Sequence, residues 1–200
     1  MLSTEETGKR LSDEARRTLL ALAEASIRHG LDKGTPLAVE VADYPEELQA
    51  ERACFVTLNR QGNLRGCIGH LEAIQQLVKD VADNAFAAAF MDPRFPKLDP
   101  REMEGLEIHI SVLTPAEPLE FNSEQELLSK MRPGVDGLIL TEGMRRGTFL
   151  PSVWDQLPQP EQFLSHLKLK AGLPADHWSD EIKIYRYETE SFAAEKPLSG

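Results

Sequence analysis

The spacing of apolar and polar residues divides the chain into helical and extended stretches before any chemistry is considered. Ala15, Leu19, Leu22, Ala23 and Ile27 recur at helical intervals, with Arg16, Arg17, Glu24 and Arg28 mostly on the opposite face. Ser12 followed by Asp13 and Glu14 supplies a capping side chain and acids for the positive end of the helix dipole, and Gly30 is the expected stop. Residues 31–53, with Pro36, Pro45 and several acids, predict an extended connection holding a short helical turn. Residues 54–58 and 64–71 read as strands joined across Asn59-Arg60-Gln61-Gly62-Asn63, which carries hairpin-turn residues. Ile74, Leu77, Val78, Val81, Ala82, Ala85, Phe86 and Ala89 then hold the clearest helical pattern in the chain, broken by Asp92-Pro93.

The second half mixes the two periodicities without a regular βαβ repeat. Residues 107–113 alternate Ile108, Ile110 and Val112 against Glu107, His109 and Ser111, a strand with one buried face. Ser123 and Glu126 have capping-box spacing, and a short helix follows to Met131. Residues 137–141 and 148–150 form a second hairpin around Gly143. Pro158 and Pro160 open a helix with Phe163, Leu164 and Leu167 inward, closed by Gly172. Residues 182–187 alternate as a last strand, and the sequence after Phe192 reads as a polar, frayed tail. The expected class is α+β, with a mainly antiparallel sheet packed with helices.

Composition narrows the partners. Against 22 Lys and Arg stand 33 Asp and Glu, and the net charge of -11 repels phosphate backbones and acidic membrane surfaces, so neither nucleic acid nor membrane is an expected partner. No run reaches the apolar length of a bilayer span, and the acidic start lacks the basic and apolar parts of a signal peptide, which makes a cytoplasmic location the expectation. Two cysteines are too few for a disulfide scaffold or a four-thiolate zinc site.

The unusual stretch is Leu64-Arg65-Gly66-Cys67-Ile68-Gly69, since two glycines in a strand mean a bulge or a close approach. In a regular strand Arg65, Cys67 and Gly69 share a face, and a guanidinium beside a thiol favours the nucleophilic thiolate. Free cysteine is also among the most buried residue types, so packing is the competing reading of Cys67. A turn at Arg60-Gln61 would set Cys67 opposite Cys54, whereas Gln61-Gly62, the better turn chemistry, sets it opposite Val56, so no disulfide is expected. Asp92-Pro93-Arg94-Phe95-Pro96 is a stiff loop that either presents Asp92 and Arg94 to a ligand or merely pins its own turn. Arg145 and Arg146 read as solvated. His29, His70, His109, His166 and His177 lack metal-ligand spacing, although His109 could approach Cys67 if their strands are neighbours. No Walker or dinucleotide glycine loop and no nucleophile elbow occurs, so no metal or other cofactor is expected.

Leu64-Arg-Gly-Cys-Ile-Gly69 resembles the hexapeptide of the AMMECR domain family, which includes protein A of AmmeMemoRadiSam systems. The resemblance continues through Phe55-Val-Thr-Leu, Asp92-Pro-Arg-Phe, Ile110-Ser-Val-Leu-Thr-Pro, Pro133-Gly-Val-Asp-Gly-Leu, Gly147-Thr-Phe-Leu-Pro and Lys170-Ala-Gly-Leu-Pro. It implies one domain over residues 10–192, built as two unequal lobes around a cleft, with tails at 1–9 and 193–200. It also implies association with Memo-type and radical SAM proteins, a context without a reaction. Histidine at position 109 is not a family expectation. Two readings follow. In one, Arg65 and Cys67 are catalytic candidates and Asp92 and Arg94 bind an anionic group. In the other, the same residues shape a non-catalytic binding or adaptor module.

Overall fold

The structure, a computed structural model, describes residues 10–200, and the tail expected at 1–9 lies outside them. In chain order the regular elements are α1 (Asp13–Lys33), α2 (Glu46–Gln49), β1 (Cys54–Arg60), β2 (Asn63–Gly69), α3 (Leu77–Phe90), β3 (Leu106–Leu113), β4 (Glu117–Leu119), α4 (Glu124–Lys130), β5 (Gly137–Glu142), β6 (Arg145–Phe149), α5 (Pro160–Lys170), β7 (Lys183–Tyr187) and β8 (Thr189–Ala193). They build two four-stranded sheets, β2-β1-β3-β8 and β4-β7-β5-β6, in which β1 pairs antiparallel with β2 and β3, and β7 with β4 and β5. The α+β class with mainly antiparallel sheets therefore holds. The chain separates into two compact units, the larger running to Leu113 and taking back Glu190–Gly200, the smaller Thr114–Thr189.

In the larger unit α1 and α3 cover one face of the first sheet. Ala15, Leu19, Leu22, Ala23 and Ile27 of α1 join Val78, Val81 and Ala85 of α3 and the inward Cys54, Val56, Leu58, Ile108 and Ile110 in one core. Each large aliphatic side chain buried there contributes about 1.5–3 kcal/mol. The Ser12 hydroxyl accepts the amide proton of Ala15, as the sequence predicts, but the helix runs past Gly30 and stops at left-handed Gly34 (φ 74°). Gly30 instead permits close helix packing, because a Cβ there would run into the rings of Phe86 and Phe90.

Two further expectations are corrected. Ile74 is not on α3: it precedes the helix and is 62% exposed. A bridge between Glu51 and Gln76, and the bond from Leu77 N to Ala50 O, hold that stretch extended until the first turn. After Phe192 the chain returns to the sheet: Leu198 N donates to Leu106 O, and Leu198 O accepts from Gly105 N.

The smaller unit packs α4 and α5 with the second sheet around Leu127, Leu138, Leu140, Trp154, Phe163, Leu164 and Leu167. The β5–β6 hairpin and the inward face of α5 match the sequence pattern. Trp154 stacks on Phe163 with ring centres 3.9 Å apart, and its indole N–H donates to Asp136 O. Strand β4 was not legible because Pro118 argues against a strand, yet β4 lies at the sheet edge, where a missing donor costs little.

Candidate functional site

Gln61 and Gly62 form the expected turn, both with positive φ (52° and 77°). The register then slips: Asn59 pairs with Leu64, but Leu58 pairs with Gly66, which leaves Arg65 as the extra residue of a bulge. One inserted residue reverses every later side chain. Cys67 thus faces Thr57 rather than the expected Val56, on the sheet face away from α1 and α3. Gly66 turns toward α3 and packs so tightly that a Cβ would collide with the carbonyl of Ala88. Gly69 makes room for the Phe55 ring, which lies where its Cβ would be. Both glycines therefore serve close approaches between parts of the protein itself.

At Cys67 the backbone N–H and C=O point away from β1, toward the open side of β2. Asp92 Oδ2 accepts the Cys67 N–H at 2.9 Å, and Arg94 Nη2 donates to Cys67 O at 3.4 Å. The same Asp92 carboxylate receives Arg94 N (3.1 Å), Nε (3.0 Å) and Nη2 (2.7 Å). Asp92 is buried, and its hydrogen bond from the Arg94 side chain, helped by the Cys67 and Arg94 amides, holds its pKa far below the ordinary carboxylate range. The stiff loop and the glycine-rich strand are joined by one charged clamp.

Arg65 is engaged elsewhere. Its Nε and Nη2 donate to the two Glu102 oxygens at 2.8 and 3.0 Å, and this bidentate pair lowers the Glu102 pKa. The Phe95 ring has Arg65 on one contact and Arg94 on another, with guanidinium carbons 6.0 and 5.4 Å from its centre. The four candidate residues thus lie on adjoining segments, but the guanidinium at the Cys67 segment is that of Arg94, not Arg65.

Because Cys67 shows its backbone polar groups to the open side, it forms a non-hydrogen-bonded pair with Thr57, in which side chains approach closely. The Thr57 hydroxyl and the Cys67 sulfur are 3.2 Å apart. His109 sits across β1, opposite Thr57 on β3. Two strand spacings separate it from Cys67, about 10 Å, so Thr57 stands between the thiol and the imidazole. Cys54 lies on the helix-covered face, fully buried, and burial pushes its thiol pKa well up. The two thiols occupy opposite sheet faces. Arg145, expected to be solvated, donates through Nη1 to Gly172 O.

A polar constellation that the sequence reading passed over lies beside Cys54. His70, the residue after the hexapeptide, meets Asp80 of α3 through Nδ1 at 2.5 Å. Asp80 is 1% exposed and also accepts from Cys54 N, Asn84 Nδ2 and Gln75 Nε2. The signal was available: Asp80 and Asn84, four apart, interrupt the apolar arc of α3, where an unpartnered polar group is costly.

Residues 20–192 match the AMMECR1 family. A protein of Methanothermobacter thermautotrophicus is 40% identical over 188 residues, covering 91% of this chain and 95% of its own. A protein of Methanopyrus kandleri is 40% identical over 199 residues, with 95% and 93% covered. The crystal structure of an uncharacterized protein from Pyrococcus horikoshii superposes with a TM-score of 0.83 at 36% identity, covering 95% of this chain and 96% of that one.

Proposed function

The chain belongs to the AMMECR1 family, and from that premise we propose that it is a binding component of a cytoplasmic multi-protein modification system, working with Memo-type and radical SAM proteins, in which the hexapeptide and its partner loop build a recognition surface. One observation carries this reading: the charged groups that a catalytic Cys67 would need are spent on the protein itself. Asp92 and Arg94 neutralise each other while holding the Cys67 backbone, and Arg65 is bound bidentately by Glu102. What remains toward a partner is a half-buried sheet face with Phe55, Thr57, Cys67 and His109, shaped by Gly69.

Calorimetric titration of the full chain with a Memo-type protein and with a radical SAM protein tests it. Saturable binding is expected to survive Cys67→Ser and to be lost in Thr57→Arg, which sets a long cation on that face. Absence of binding to either partner, or binding that depends on the thiol alone, overturns it. A cysteine-dependent step is favoured by one contact, the Thr57 hydroxyl placed to donate to a thiolate. A product that forms with the parent and not with Cys67→Ser, while binding persists, selects that second reading.

A further inference from the structure

The pairing of His70 with Asp80 lies outside the clamp at Cys67, and its parts are those of a proton-accepting site. Asp80 is buried in the first turn of a 14-residue helix. Four donors converge on its two oxygens: Cys54 N (2.9 Å) and Asn84 Nδ2 (3.0 Å) on Oδ2, His70 Nδ1 (2.5 Å) and Gln75 Nε2 (3.2 Å) on Oδ1. An ionised carboxylate only accepts, so His70 carries its proton on Nδ1 and presents the Nε2 lone pair. The His70 side chain is 37% exposed, and no described side chain or backbone group bonds to Nε2. A fixed tautomer, an oriented ring and a reachable acceptor are the elements of a general base.

The surroundings narrow what it would take. Gln75 links Asp80 to Asp83, whose Oδ2 it meets at 3.0 Å, and no Lys or Arg contacts Asp80 or His70 among the described residues. The local field is negative and disfavours anions. The segment leaving His70 exposes Leu71 and Ile74, which offer apolar surface. No three His, Cys, Asp or Glu side chains gather as a metal-ligand set among the described residues.

We propose that His70, oriented by Asp80, is the general base of a second site, separate from Cys67, that takes a neutral or cationic substrate and draws a proton from its hydroxyl or from a bound water. In the step, the O–H bond breaks, the proton goes to Nε2, and the freed electron pair on oxygen bonds to an ester acyl carbon as the C=O π pair moves onto its oxygen; when that pair returns, the ester C–O bond breaks and the alkoxide leaves with its electrons. The imidazolium is offset by Asp80 and returns its proton to solvent.

The probe is p-nitrophenyl acetate, a neutral ester. Water attacks the acyl carbon as Nε2 takes its proton, the ester C–O bond breaks, and acetate and p-nitrophenolate leave. Steady-state release, separated from any stoichiometric burst due to thiol acetylation, is followed for the full chain and for His70→Gln, Asp80→Asn and His166→Gln. His166 is exposed on α5 and serves as the control. His70→Gln is expected to lower the rate at least about tenfold and His166→Gln to leave it unchanged, in keeping with the usual contribution of a positioned base. Diethyl pyrocarbonate with peptide mapping gives a second reading: His70 should be labelled faster than His166, and more slowly once Asp80 is Asn. Should Asp80→Asn fail to fold, His70→Gln and the labelling order still decide. A rate unchanged by His70→Gln, or a His70 that resists labelling, reduces the pair to a structural contact and overturns the proposal.

Discussion

Replacing Asp92 by Asn probes the clamp directly, because the change keeps size and removes only charge and one acceptor. In the parent, Oδ1 takes Arg94 N and Nε, and Oδ2 takes Cys67 N and Arg94 Nη2. Asparagine has one acceptor oxygen. Whichever way its amide turns, an NH2 group is set against N–H donors, and one pair of bonds is lost. If Cys67 N is left unmet, the cost includes about 1–3 kcal/mol for an unsatisfied buried donor. Arg94 is 54% exposed, so its ion pair adds little, about 0–1 kcal/mol. The expected loss is therefore about 1–4 kcal/mol, read as a lower urea midpoint at unchanged slope.

The sign of the pH dependence follows from the depressed pKa. A carboxyl lowered on folding contributes stability in full above its unfolded pKa of about 4, and that contribution is withdrawn as pH falls toward the folded value. The gap between parent and Asp92→Asn should thus be constant from neutral pH down to about pH 5 and close only in strong acid. A gap under about 1 kcal/mol at neutral pH, or one that widens in acid, refutes the clamp as described.

Three further outcomes follow from the same geometry. Gly66→Ala forces a methyl into the carbonyl of Ala88 and should cost about 3 kcal/mol or more, or prevent folding; calorimetric melting checks it. Native-state alkylation with iodoacetamide, mapped by mass spectrometry, should modify half-buried Cys67 and spare Cys54, whose thiol is buried and whose pKa is raised. Cys67→Ser and Cys67→Ala should both denature within about 1 kcal/mol of the parent, since serine meets the Thr57 hydroxyl; a serine variant clearly less stable than the alanine one means a packed thiol.

What the sequence disclosed and concealed has a physical pattern. The inward faces of α1, α3, β1 and β3 were legible because burial imposes a period on consecutive residues. Cys67, Asp92 and Arg94 were legible as candidates from a glycine-interrupted strand and a stiff loop, and hydrogen bonds at Cys67 N and O join the two segments. The pairing of Arg65 with Glu102, and the face on which Cys67 lies, were not: the glycines admitted a bulge or a close approach, but nothing in the pattern showed that Arg65 is the extra residue, and both features depend on it. Gly30 misled for a related reason, since a helix-closing glycine and a close-packing glycine look identical in sequence.

The bonds made by Asp92 and Arg94 to Cys67 bear on self-association. β2 is the first strand of its sheet, and an edge strand offers unpaired N–H and C=O groups to any other extended chain. At Cys67 a carboxylate takes the place of the carbonyl, and a guanidinium the place of the amide, that a fifth strand would bring. The two side chains imitate a neighbour and deny the position to a real one. Loss of either should appear as concentration-dependent oligomers in light scattering, seeded along β2, before any loss of helix content.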